Sequence, residues 1–178
     1  MKGVTHTLLG AAVALPIAVF HDPAIAAACL WLGMAGGGLP DWLDLRSDFK
    51  TQLRLKHRGA SHSLFVLAGC AALLYLGLVT LQGSPAVFGG TAIAPKDSTV
   101  VAWVAALALG IGSHLAADAC TFAGIRPLLP LSQWKVWLLP RFLRSRSDGY
   151  LDTVMRVLAI VTLAFGFVVY VSRWIAPL

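Results

Sequence analysis

Ser113-His114-Leu115-Ala116-Ala117-Asp118 sets an imidazole and a carboxylate four residues apart, a spacing that puts both on one face of a helix. Asp118 ends an apolar run, where the helix dipole disfavours a carboxylate, so a metal ion or a close cation there would offset the penalty. A second group, His57-Arg58-Gly59-Ala60-Ser61-His62-Ser63, packs two imidazoles and a guanidinium into a glycine turn ahead of another apolar run. Ser61 could cap the helix that follows. A helix N-terminus beside Arg58 also suits an anion such as phosphate. A third group, Gly36-Gly37-Gly38-Leu39-Pro40-Asp41-Trp42-Leu43-Asp44, reads as a helix end stopped by Pro40, with two carboxylates three residues apart that could face one cation. His6, between Thr5 and Thr7, opens the first apolar run, and the chain has no Glu, so carboxylate chemistry must use Asp.

Each pattern has a plainer explanation. His114 and Asp118 could simply hydrogen-bond inside a helix bundle. Asp after Pro is an ordinary turn signal, and the 57–63 stretch could anchor a helix at the membrane interface and cap it. Asp152 reads first as a favourable charge in a first helical turn, Cys120 as packing, and His21-Asp22 as a solvated turn. Taken as ligands, mixed imidazole and carboxylate donors suit zinc, manganese or iron rather than calcium, with zinc first. Six or seven candidate donors exceed one tetrahedral shell, so one or two ions are expected.

The elements that must position these residues are apolar. Of the 178 residues 58% are hydrophobic and 12% charged, about half the charged share of a soluble domain. That leaves too little polar surface to coat a globule. Five apolar stretches run over residues 7–20, 24–39, 63–81, 100–117 and 154–175. The last three reach the roughly 17–25 residues of a spanning helix; the first two are short and form a hairpin or a re-entrant pair. Residues 133–143 mix Trp134, Trp137 and Phe142 with Lys135 and Arg141, which predicts an interfacial helix, and residues 82–98 read as a plain connector. The fold class is therefore an all-α polytopic membrane bundle of about five helices plus an interfacial one. With no repeat or low-complexity tract, residues 1–178 read as a single domain. A cleaved lipoprotein-type leader ending near Ala26-Ala27-Ala28-Cys29 is the rival for the N-terminus, but Leu30-Trp31-Leu32 is too apolar to begin a mature chain. No CxxC spacing occurs among three cysteines, so neither a disulfide framework nor a zinc ribbon is indicated.

Orientation follows from the cations. The net charge is +6, and Arg46, Lys50, Arg54, Lys56, Arg58, Arg126, Lys135, Arg141, Arg144, Arg146, Lys2 and Arg156 share one face after five crossings, against Lys96 and Arg173 on the other. Basic loops stay cytoplasmic, which predicts an inside N-terminus and an outside C-terminus. On that topology His6, Asp41, Asp44, His57, His62, His114 and Asp118 all reach the inner face. Ionisable groups at membrane depth are costly, so their gathering at one plane marks a site.

At these residues the chain resembles the YdjM-like family of LexA-binding, inner-membrane-associated metal-dependent hydrolases. The likeness is carried by His6, Leu39-Pro40-Asp41, His57-Arg58-Gly59 with Ser61-His62-Ser63, and Ser113-His114-Leu115-Ala116-Ala117-Asp118 followed by Thr121 and Gly124, over residues 5–130. The family pattern is Pro-Asp-x-Asp-His, whereas here Asp44 stands three residues after Asp41 and Leu45 follows; either Asp44 takes over that histidine's place or the local backbone differs. The order of donors also resembles, more faintly, zinc phospholipase C and related single-strand nucleases. The resemblance implies hydrolysis, and the residues supply the parts: His6, Asp41, Asp44, His62, His114 and Asp118 as metal ligands, Arg58 for an anionic group, and His57 as ligand or general acid. A metal would bring the pKa of its water towards about 7. At headgroup height, among basic loops, the economical substrate is an anionic lipid or a lipid-linked phosphate or ester. A non-catalytic membrane adaptor, binding anionic lipid, DNA or a cytoplasmic protein through its basic face, is the alternative; between these partners direct nucleic-acid binding is the less expected. A proton- or metal-coupled transporter fits less well, because its polar residues would gather at mid-membrane.

Overall fold

The computed structural model describes residues 1–45, 59–84, 86–88 and 91–175. The expected catalytic pair His57 and Arg58, and the basic run from Arg46 to Lys56, lie outside the described residues. The described residues form five α-helices: α1 (Gly3–Ala18), α2 (Pro23–Leu45), α3 (Leu64–Gly83), α4 (Asp97–Ala119) and α5 (Tyr150–Ile175). Single 3-10 turns occur at Ala60–His62 and Arg141–Leu143. Four of the helices are long and apolar enough to cross a membrane, and α1 is a shorter apolar helix. The all-helical membrane bundle expected from the sequence is thus what forms.

Packing sorts the helices into two groups. α1, α2 and α4 pack closely on one another, while α3 leans on α4 and α5 on α1. Lipid tails are as apolar as leucine, so close backbone approach and dispersion must hold such helices together. Gly110 shows how close they come: a Cβ placed there would sit 2.3 Å from the carbonyl oxygen of Gly33. One placed on Gly37 would sit 2.2 Å from the carbonyl oxygen of His6. Only glycine permits these crossings. The large apolar side chains of α3 and α5, among them Leu73, Leu76, Phe165 and Phe167, point outward instead; in lipid they have the right solvent.

Four local expectations change. Pro40 does not stop α2, which runs on to Leu45 and is long enough to span. The carbonyl that a helical proline crowds lies four residues back, here on Gly36, where α2 is pressed against α4: a Cβ on Gly36 would meet the carbonyl oxygen of Leu107 at 2.5 Å. Pro40 itself is fully buried, and packing on both sides of it overrides the local break. The expected interfacial helix over 133–143 does not form. Val136 and Ile125 exchange backbone hydrogen bonds (3.1 and 2.9 Å), and the Leu138 N–H donates to the carbonyl of Ala119 at 3.1 Å. Those donors are committed to distant partners, and Pro140 would interrupt any helix across the segment. The exposed Trp134 and Phe142 still suit headgroup depth. The connector between α3 and α4 carries a small antiparallel hairpin, Ala86–Phe88 with Thr91–Ile93. Ser61 does not cap α3; Ser63 holds the N-cap position without a side-chain cap bond.

Candidate metal centre

The start of α1, the end of α2, the Ala60–His62 turn and the last turns of α4 meet at one end of the bundle. His6, His62, His114 and Asp118 are all fully buried there, and Asp41 is 27% exposed. Two overlapping donor sets form: His6, His114 and Asp118, and Asp41, His62 and His114, with the donor atoms within each set no more than 4.8 Å apart. His62 Nε2 lies 3.5 Å from Asp41 Oδ1 and 3.6 Å from Asp118 Oδ2. His114 Nε2 lies 3.7 and 3.9 Å from the same two oxygens. His6 Nε2 is 3.4 Å from Asp118 Oδ1. Five of the six ligands expected from the sequence thus come together.

The hydrogen bonds behind the imidazoles fix what their inner nitrogens can do. His114 Nδ1 donates to the Gly37 carbonyl at 2.7 Å, so Nε2 carries the lone pair. The Ser61 hydroxyl donates to Asp44 Oδ1 at 2.5 Å, and His62 Nδ1 donates to the Ser61 oxygen at 2.9 Å, which turns the His62 Nε2 lone pair inward as well. The two Nε2 nitrogens are 3.1 Å apart, so with both rings neutral they face each other as lone pairs. Facing each other beside two carboxylates, they repel unless a cation or a proton lies between them. Two imidazoles on one tetrahedral zinc, at about 2.0–2.1 Å each, stand about 3.3 Å apart. His6 stacks on His114 at 3.8 Å between ring centroids, and both its ring nitrogens are buried without a hydrogen bond. A buried imidazole without a hydrogen bond, two imidazole nitrogens in close contact and two carboxylates are the donor chemistry of a divalent transition-metal site. The buried cluster could hold such an ion.

Asp44 enters differently from its neighbours. Its Oδ2 is 3.7 Å from His62 Nδ1, the nitrogen facing away from the other donors, and its Oδ1 takes the Ser61 hydroxyl. That is the place of a group that orients a ligand. The three-residue step from Asp41 to Asp44 carries the second carboxylate behind His62. Cys120 is buried, and burial pushes its thiol pKa up, so it stays a protonated packing residue.

Sequence reasoning missed three supports: the Gly37 carbonyl, the Ser61 relay and a tie between α1 and α5. In that tie the Lys2 N–H donates to Asp152 Oδ1 at 2.9 Å, Arg156 pairs with Asp152, and Arg156 Nε donates to Thr5 Oγ1 at 3.2 Å. It holds the residue next to His6. The i,i+4 pairing of Asp152 with Arg156 was the available signal; the Gly37 carbonyl had none. The amino group of Met1 also lies 3.1 Å from Asp118 Oδ1.

A family model, that of the YdjM inner membrane protein, matches residues 1–176. No curated protein and no solved structure matches the chain.

Proposed function

The chain belongs to the YdjM inner membrane protein family, and on that premise we propose that it is a membrane-bound metal-dependent hydrolase acting on a phosphoester or ester of a lipid or lipid-linked substrate. The observation that carries the reading is the pair of Nε2 nitrogens of His62 and His114, 3.1 Å apart and flanked by Asp41 and Asp118. His6, Asp41, His62, His114 and Asp118 would hold one or two divalent ions, zinc first. Such an ion supplies Lewis acidity towards a phosphoryl or acyl oxygen and acidifies water.

The chain's own groups do the rest. Gly37 and the Asp44–Ser61 pair lock the tautomers of His114 and His62, so the donors need no reorganisation. The buried walls exclude water, and Asp41, the one partly exposed member, marks where a substrate can enter. Arg58 is assigned to the anionic group of the substrate and His57 to proton transfer. By the basic-loop rule, this end faces the cytoplasm.

The test is release of phosphate or fatty acid from phospholipid in mixed micelles by the purified, metal-loaded protein. Turnover in the parent and its loss in a folded His62→Ala variant is the expected result. A second reading, the membrane adaptor, is favoured by the exposed Arg141, Trp134 and Phe142 at the same end. It predicts the opposite pattern: activity untouched by His62→Ala and removed by Arg141→Ala or by salt.

A further inference from the structure

A groove of about 570 Å³ runs along the outer side of α1 and α2, lined by Thr7, Trp31, Met34, Ala35, Gly38 and Asp41 among others. Asp41 is at once the end wall of this groove and a carboxylate of the metal cluster. The other walls are apolar or spent: the Thr7 hydroxyl donates to the carbonyl of Val4 in its own helix. Trp31 and Met34 are exposed beside it, on a helix long and apolar enough to span, so lipid is what surrounds the groove. Gly38 keeps the floor low: a Cβ there would touch only the Thr7 methyl, at 3.2 Å.

We propose that this groove is an acyl-chain site, taking one fatty-acyl tail of an anionic phospholipid from the leaflet on the cluster's side and presenting the headgroup at Asp41. Length argues for that occupant. From Trp31 to Trp42, a second exposed groove residue, the helix advances about 16 Å at 1.5 Å per residue. Half of a hydrocarbon core of about 30 Å is about 15 Å. The groove therefore matches one leaflet's depth and an ordinary acyl chain; a polyprenyl chain would extend far beyond it. Charge argues for the anionic headgroup: Lys2, Arg126, Lys135, Arg141, Arg144 and Arg156 all belong to this end of the bundle, and Asp41 sits behind a site that would hold a cation. The inference deepens the hydrolytic reading, and rests on it for the fate of the headgroup; the tail site itself is read by binding.

The experiment places the full chain in nanodiscs of phosphatidylethanolamine with phosphatidylglycerol carrying a diazirine in one acyl chain, and maps the photolabel by peptide mass spectrometry. Label should concentrate on residues 31–38, above the lipid-facing Leu73 and Leu76 of α3 and Phe165 and Phe167 of α5. It should be lost in Ala35→Phe, which fills the groove, while metal content stays at the parent level. Labelling of residues 31–38 no heavier than of α3 and α5, or displaced by polyprenyl phosphate and not by phosphatidylglycerol, overturns the proposal. Should Ala35→Phe fail to fold, the parent's label distribution alone decides. Groove labelling without lipid turnover keeps the tail site and sinks the hydrolase; turnover with even labelling does the reverse.

Discussion

The two ends of the α1–α2–α4 bundle are brought together by the same device and filled with opposite materials. At the far end Ala14, Ala18, Ala26, Cys29, Ala102 and Ala106 form a small-residue core, and the cavity beside it, about 350 Å³, is walled by residues such as Leu15, Leu30, Leu163 and Phe167. At the near end the same helices enclose three imidazoles and two carboxylates. At the far end small-residue packing joins the helices, whereas at the near end His114 also ties α4 to α2 through the Gly37 carbonyl. Burying three histidines and two aspartates in an apolar surround costs free energy; their mutual contacts and the Met1 amino group offset part of it, and a bound cation would offset more.

The largest expected effect breaks what the ends share. Gly110→Leu drives a side chain into the Gly33 carbonyl, and overpacking of that kind should cost about 3 kcal/mol or more; thermal unfolding in detergent would show both ends lost together, and a parent-like midpoint would refute the shared crossing. Metal removal should act on the near end only. Dialysis against chelator lowers the unfolding midpoint, and adding zinc back at about a hundred times its Kd should restore about 2.7 kcal/mol; a midpoint indifferent to zinc would leave the cluster without a ligand. Asp44→Ala should weaken metal affinity about 10–100-fold, as loss of an orienting partner does, with Asn restoring part of it. A competitive zinc titration reads this, and unchanged affinity in Asp44→Ala would remove the orienting role. The smallest effect belongs to the far end: Cys29→Ala trims a small hydrophobe and should cost about 1 kcal/mol with no change in metal content by elemental analysis.

Much of the near end was legible because its signals are local. His114 and Asp118 declare a shared face by their spacing, and the positions of His6, Asp41 and His62 at helix ends follow from counting crossings. What was illegible depends on tertiary context. Pro40 reads as a stop until Gly36 is seen pressed on α4, and the 133–143 stretch reads as an amphipathic helix until Val136 and Leu138 are seen donating to Ile125 and Ala119. Asp44 illustrates the boundary: its carboxylate was recognised, but which side of His62 it takes follows from the course of α2 beyond Pro40, which local pattern did not give.

The most direct measurement is metal stoichiometry by elemental analysis of the detergent-purified chain beside His114→Ala, Asp118→Ala and the far-end control Cys29→Ala. The account predicts stoichiometric divalent metal in the parent and in Cys29→Ala, and its loss in both near-end variants while they remain folded. Equal metal in all four, or none in the parent after purification in zinc, would contradict it.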